Sequence, residues 1–353
     1  MRLLLYGDLQ ASEGHERLFS NPTVPLQRHR VAMFYKQLAE IYDEHDCHGI
    51  IDLGDSTDDR TAIPIGTIHT IDEGISRLPS SDYNIKILGN HDQFIKSGTI
   101  HAGGLFKSKF HIIPDRETRI IGGVKFVFCS YPEDEANLSE WMQTELAAPF
   151  DRSNGHDGRH VVIGHFDVDG TKVHGETLSS KITVGSLRSS NLTLLGHIHV
   201  PSSVSKTIHY VGSPFQQDFG EANESKRVAV LDTDTLKVVW VPTIGFPIYR
   251  KVTLKEFVAS VQEGSENRYQ VVLKTAKETE IFYAHPLSNR AEPVYNYVDS
   301  KQRSESSAQQ DAPMSSSDMK ETLGNYVKLV PPSSFGVDLS ADDIVAVGLQ
   351  LVE

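Results

Sequence analysis

The stretch IKILGNHD (85–92) is a short apolar run that stops at a glycine and ends in three polar residues. Such a run reads as a buried strand. The glycine lets the chain turn sharply while Asn90 and His91 leave the strand end. The same unit occurs four more times, in RLLLYGD (2–8), GIIDLGD (49–55), VVIGHF (161–166) and LTLLGHIH (192–199). Between the first two, Val31, Phe34, Tyr35, Leu38, Ile41 and Tyr42 recur at three- and four-residue intervals, which predicts an amphipathic helix suited to cover a sheet. Strand, helix, strand predicts an α/β fold. If these strands lie side by side, their C-terminal ends line one edge, where open α/β sheets place their ligands.

Past residue 200 the pattern changes to short strands without helices, IHYVGS (208–213), RVAVLD (227–232) and KVVWVP (237–242), which predicts a second, largely antiparallel sheet. A domain over 1–245 is expected, a sandwich with helices outside. Pro247 marks a boundary, and 246–286 reads as a small strand, helix, strand appendage. Residues 287–317 are rich in Ser, Gln, Asp and Pro, too poor in apolar side chains to offset their ordering entropy, and read as a flexible linker. Apolar spacing returns over 318–353, where Ser340 and Asp343 form a capping-box arrangement before a helix too apolar to stand alone.

Composition excludes several classes. With 39% hydrophobic and 23% charged residues, the 353-residue chain is neither fibrous nor wholly disordered. Its apolar runs fall far short of the roughly 20 residues that cross a bilayer. Asp8 interrupts the N-terminus before a secretory core can form, so a cytoplasmic protein is expected. Two cysteines, Cys47 and Cys129, suit small core positions in a reducing compartment better than a disulfide or a thiolate metal set. A net charge of −13 disfavours general adhesion to nucleic acid, so any DNA contact must be local.

The five strand ends supply Asp8, Asp55, Asn90 with His91 and Asp92, His165, and the pair His197 and His199. A lone strand-end Asp is usually a turn residue. Here carboxylates, an amide and imidazoles converge from five places, and His197 and His199, two apart, share one face of a strand. Hard oxygen donors mixed with imidazole suit divalent manganese, iron or zinc. At least six candidates fit two ions better than one, with a carboxylate bridging them about 3.5–4 Å apart, which is the arrangement of hydrolytic phosphoryl chemistry.

With these residues the sequence resembles the calcineurin-like metallophosphoesterases, and among them the SbcD-type DNA repair nucleases and the small subunit of bacteriophage recombination exonucleases. The motifs that carry the likeness are GDLQ (7–10), GDSTDDR (54–60), GNHD (89–92), GHFDVDG (164–170), GHIH (196–199) and YVGSPFQQDFGE (210–221). The resemblance implies a four-layer αββα sandwich binding two Mn2+ ions. It implies Asp8 and His199 on the first ion, Asn90, His165 and His197 on the second, and Asp55 between them. His91 is implied outside the metal shell as the group that stabilises charge or protonates the leaving oxygen. Asp92 is expected behind the ligands, orienting a histidine, and Arg60 beside the metals. One position departs from the family's Asp-x-His pattern. Gln10 stands where the family has histidine, so a neutral amide replaces an imidazole and the first metal site is expected to be looser, with His15 a distant substitute.

Cutting DNA requires a local basic surface. Arg28, Arg30, Arg60, Lys96, Lys107 and Lys109 lie near the metal motifs and are the candidates. The resemblance implies an SbcC-type ATPase partner. The chain has no GxxxxGK[ST] segment of its own, so ATP use must be supplied in trans. It further implies a homodimer within a heterotetramer, with double-strand exonuclease and single-strand endonuclease activity, and the 318–353 segment then serves as a tether to the ATPase. Two rival readings are a small-molecule phosphodiesterase or phosphatase, and a catalytically weak DNA-end binding subunit, which Gln10 makes plausible.

Overall fold

The computed structural model describes residues 1–95, 99–149, 153, 155–173 and 175–296. Met1–Tyr295 form one compact unit. The expected linker beyond 296 and the 318–353 helices lie outside the described residues.

Two six-stranded sheets face each other. Their elements, in chain order, are β1 (Arg2–Tyr6), α1 (Leu26–Glu44), β2 (Gly49–Asp52), α2 (Ile65–Ser76), β3 (Ile85–Ile87), β4 (His111–Ile113), β5 (Arg116–Ile121), β6 (Val124–Cys129), α3 (Glu135–Ala147), β7 (His160–His165), a small hairpin β8 (Lys172–Val173) and β9 (Glu176–Thr177), β10 (Leu192–Gly196), β11 (Ser202–Ser203), β12 (Ile208–Tyr210), β13 (Arg227–Asp232) and β14 (Val238–Pro242). The first sheet has the order β14-β13-β1-β2-β3-β4 and the second β11-β12-β10-β7-β6-β5. The central strands of each are parallel, and antiparallel strands close the edges except at β4, which runs parallel to β3.

Alternation along each strand divides the core into layers. Leu3, Leu5, Ile51 and Leu53 meet Phe126, Phe128, Ile163 and Leu194 between the sheets. Leu4, Tyr6 and Ile50 face the other way, against Phe34, Leu38 and Ile75 of α1 and α2. Val127 and Val162 likewise meet Leu138 and Met142 of α3. The result is the expected αββα arrangement. Both cysteines are free and buried, Cys129 in this third layer.

Two details differ from the sequence reading. The five motif strands do not share one sheet: β1, β2 and β3 belong to the first, β7 and β10 to the second. Nor do the strands after residue 200 form a separate antiparallel sheet. β12 runs parallel to β10, while β13 pairs antiparallel with β1 and carries β14. The reason is the RVAVLD pattern, which buries both faces: Val228 and Val230 extend the helix-side layer, and Ala229 and Leu231 the inter-sheet layer, so β13 covers an edge of β1 that would otherwise be open and apolar.

The segment after Pro247 builds a parallel three-stranded sheet, β15 (Tyr249–Thr253), β16 (Arg268–Leu273) and β17 (Ala291–Tyr295), with α4 (Leu254–Ser260) and α5 (Ala276–Ala284). Phe257, Tyr269, Val271 and Phe282 form its core. A capping box between Thr253 and Glu256 starts α4. β17 falls in the stretch whose composition reads as linker; pairing along Tyr269–Leu273 gives its backbone the partners that composition cannot register.

Candidate metal centre

Both sheets end their parallel strands at the same edge, so the loops after β1, β2, β3, β7 and β10 meet. Asp8, Gln10, Asp55 and His197 hold positive φ angles of 55°, 51°, 53° and 87°. Non-glycine residues seldom adopt this left-handed region, and they persist there where surrounding contacts fix them. Those contacts are visible. Asp8 N donates to Gly54 O and Gln10 N to Asp55 O, each at 2.9 Å, which joins the β1 and β2 loops. The Asp8 carboxylate accepts from His197 N at 2.9 and 3.1 Å and so ties one sheet to the other. Gly89 is required by space: a Cβ there would lie 2.0 Å from Asp55 Oδ1.

Asp55, His165 and His197 each bring a ligand atom within 4.8 Å of the others, among the described residues. His165 Nε2 lies 3.3 Å from Asp55 Oδ2 and 3.3 Å from Asn90 Oδ1. Its Nδ1–H donates to Leu53 O at 2.7 Å, since a carbonyl can only accept. His199 shows the same polarity, with Nδ1 2.8 Å from Glu221 Oε1, and His91 holds Nδ1 2.6 Å from Asp58 O. In all three rings Nε2 is the nitrogen left for other work, the arrangement by which carbonyls and carboxylates orient metal-binding imidazoles. His197 Nε2 faces Asp167 Oδ1 at 3.3 Å.

The electrostatics follow from burial and pairing. Burial raises the Asp55 carboxyl, but the adjacent His165, helped by His91, outweighs it and holds the group well below the usual carboxylate range. Burial pushes the His165 imidazole down, and Asp55 and Asp8 more than reverse this, lifting it to about 9. Asp8 is raised, chiefly by burial. Buried carboxylates set beside imidazoles make a site suited to cations, which would take the place of the ring protons. The donor set fits a divalent ion: Asp55, His165 and His197 bring ligand atoms together, Asn90 Oδ1 adjoins His165, and the buried Gln10 Oε1 has no hydrogen-bond partner among the described residues.

Asp92 acts differently from expectation. Among the described residues it orients no histidine. Its carboxylate accepts from the backbone N–H of Asp55 at 2.8 Å, Ser56 at 3.1 Å and Gly89 at 3.1 Å, because it points back under the loops instead of out to the rings. Gln10 Nε2 donates to Asp55 Oδ2 at 3.2 Å. His15 and Arg60 are exposed, and His15 is not among the residues whose ligand atoms come together. Arg30 is not a surface cation: only 1% exposed, it stacks on the Tyr249 ring and donates to Pro247 O at 3.0 Å, since its helix position faces the small sheet. Arg28 is half-buried and bonded to Thr70 and Glu13. Lys109 is tied to Leu78 O, Lys107 is exposed, and Lys96 lies outside the described residues.

Sequence reasoning assigned no role to Lys86, Asp167, Glu221 or Lys226. Glu221 stands in the YVGSPFQQDFGE motif and Asp167 in GHFDVDG; burial pushes the Glu221 carboxyl up, and the bonds from His199 and Lys226 outweigh that to hold it at about 2.

No protein-family model matches the chain. It is 34% identical over 86 residues to the SbcD component of the SbcCD nuclease of Staphylococcus epidermidis, covering 21% of this chain and 22% of that protein. It is 23% identical over 234 residues to exonuclease subunit 1 of Enterobacteria phage T4, covering 63% of this chain and 66% of that protein. The matches thus span less than two thirds of either relative. Among solved structures, a dimetal phosphatase from Danio rerio aligns over 69% of this chain and 99% of its own at 10% identity, with a TM-score of 0.36. Both curated relatives are nuclease subunits, and the chain, with its five strand-end motifs gathered by two facing sheets, is similar to the SbcD-type nucleases.

Proposed function

We propose that the chain is the nuclease subunit of a DNA-processing complex and hydrolyses phosphodiester bonds with two divalent ions, Mn2+ foremost. The observation that carries this reading is the gathering of Asp55, His165 and His197 at one strand-end edge, flanked by Asp8, Asn90 and His199. Asp8, His199 and the Gln10 carbonyl would hold one ion and Asn90, His165 and His197 the other, with Asp55 as the ligand available to both. Bound there, such ions supply an activated hydroxide and neutralise charge on the phosphate. The protein's own part is positional. Leu53 O and Glu221 fix the rings of His165 and His199, and Asp92 fixes the loop that presents Asp55. His91, its Nδ1–H held by Asp58 O, presents Nε2 to carry a proton to the leaving oxygen.

Few of the candidate cations are free at the surface, so most of the affinity for the DNA backbone is assigned to an SbcC-type ATPase partner in a heterotetramer built on a homodimer of this chain. Residues 297–317 serve as the linker, and 318–353 as the ATPase-binding segment. Linking the two raises the effective concentration of nuclease at the DNA held by the ATPase. Duplex exonuclease and single-strand endonuclease activity are the reactions expected.

A second reading, a weakly catalytic DNA-end binding subunit, is favoured by one observation: Gln10 aims an N–H at Asp55 where the family has an imidazole. Manganese-dependent hydrolysis of bis-p-nitrophenyl phosphate and of linear duplex DNA, with His91→Ala alongside, separates the readings. Cleavage of DNA that falls with His91→Ala supports the nuclease. Turnover of the small ester alone indicates a small-molecule phosphodiesterase, and no turnover of either indicates the binding subunit.

A further inference from the structure

Beside the metal centre lies a pocket of about 460 Å³, walled by the 10–16 loop, the start of α1, Asp218 and Tyr249, and bordered by His91 and His199. Pockets for small organic groups run from roughly 300 to 1,000 Å³, so this one admits a group of nucleoside size. Arg30 lines it, and Arg30 Nε is buried with no hydrogen-bond partner among the described residues. A buried donor left unpaired is costly, so the pocket calls for an acceptor.

Charge decides the class of ligand. Three carboxylates, Glu16, Asp58 and Asp218, line the pocket against the single guanidinium of Arg30. A phosphate entering here meets net repulsion. A neutral heterocycle with ring or carbonyl acceptors and an amine edge satisfies Arg30 and the carboxylates together. We propose that this pocket receives the nucleobase of the nucleotide whose phosphate binds at the metal centre. The proposal rests on the phosphoesterase reading of the neighbouring site and deepens it: the substrate end is unstacked, and its base is held by edge contacts, as bases of single-stranded nucleic acids commonly are.

The test is calorimetric binding to the full chain in Mn2+, comparing deoxyadenosine 5′-monophosphate with deoxyribose 5-phosphate and inorganic phosphate. The nucleotide is expected to bind at least tenfold more tightly than the base-free sugar phosphate. Ser12→Phe, which fills the pocket, is expected to erase that difference while inorganic phosphate still binds. His15→Trp, at an exposed lining position, replaces it should Ser12→Phe fail to fold. Equal affinity for the two sugar phosphates, or a base preference that survives both blocking variants, overturns the proposal. Failure of the enzyme reading is separate: it appears as absence of metal-dependent phosphodiester hydrolysis, and the base preference is still measured without turnover.

Discussion

The Lys86 ammonium lies 3.0 Å from Asp92 Oδ2, with both side chains fully buried beneath the metal centre. Lys86 also contacts Asp52 at 3.2 Å and Ser56 Oγ at 2.6 Å, and sits over the Phe106 ring. Burial disfavours its charge, but the two carboxylates more than restore it. Asp92 in turn grips the backbone that presents Asp55. Breaking a buried ion pair from one side leaves an uncompensated charge, at a cost of about 3–5 kcal/mol. Lys86→Met is expected to lose stability of that order in urea unfolding and to lower kcat as the Asp55 loop drifts. A stability near that of the parent contradicts this.

Glu221 is the partner of His199 Nδ1, and it also accepts from Ser213 Oγ at 3.2 Å. Removing an orienting carboxylate behind a metal-binding imidazole typically weakens metal affinity 10–100-fold. Glu221→Gln is expected to weaken one of two Mn2+ binding events by roughly that factor in calorimetry, leaving the other nearly unchanged. An equal effect on both ions speaks against the proposed division of ligands.

Gln10→His supplies the imidazole that this position lacks. The looser first site is expected to tighten, visible as a stronger first-ion affinity and higher hydrolysis at low manganese. Unchanged affinity and activity mean that position 10 is not a ligand.

Gly89→Ala places a methyl group 2.0 Å from Asp55 Oδ1, against a carboxylate held on several sides. Activity is expected to fall by more than tenfold, with some loss of thermal stability. Activity near the parent's shows that the loop yields freely and that Gly89 does not set the position of Asp55.

Ion removal should loosen the folded state. A ligand that binds only the native protein stabilises it by ~2.7 kcal/mol at 100 times its Kd. Melting in excess EDTA is expected several degrees below melting in saturating Mn2+; coincident curves indicate that no tight site exists.

Much of the centre is legible in the sequence because each ligand sits just after an apolar run that ends in a glycine or small turn. That local pattern places Asp55, Asn90, His165 and His197 at strand ends. The division of the five strands between two sheets is not legible, since every one reads as buried on both faces. Arg30 reads as a solvent-facing cation because its burial depends on Pro247 and Tyr249, more than 200 residues away. Asp92 reads as a histidine partner because its contacts with Lys86 and the Asp55 loop exist only once three strands are side by side. Glu221 lies in a recognisable motif, yet its bond to His199 spans 22 residues and carries no periodic signal.

Anomalous diffraction from a manganese-soaked crystal addresses the two-ion centre itself. Two peaks are expected, one between Asp8 and His199 and one among Asn90, His165 and His197, with the Asp55 carboxylate between them. A single peak, or manganese bound elsewhere while these side chains stay empty, contradicts the account.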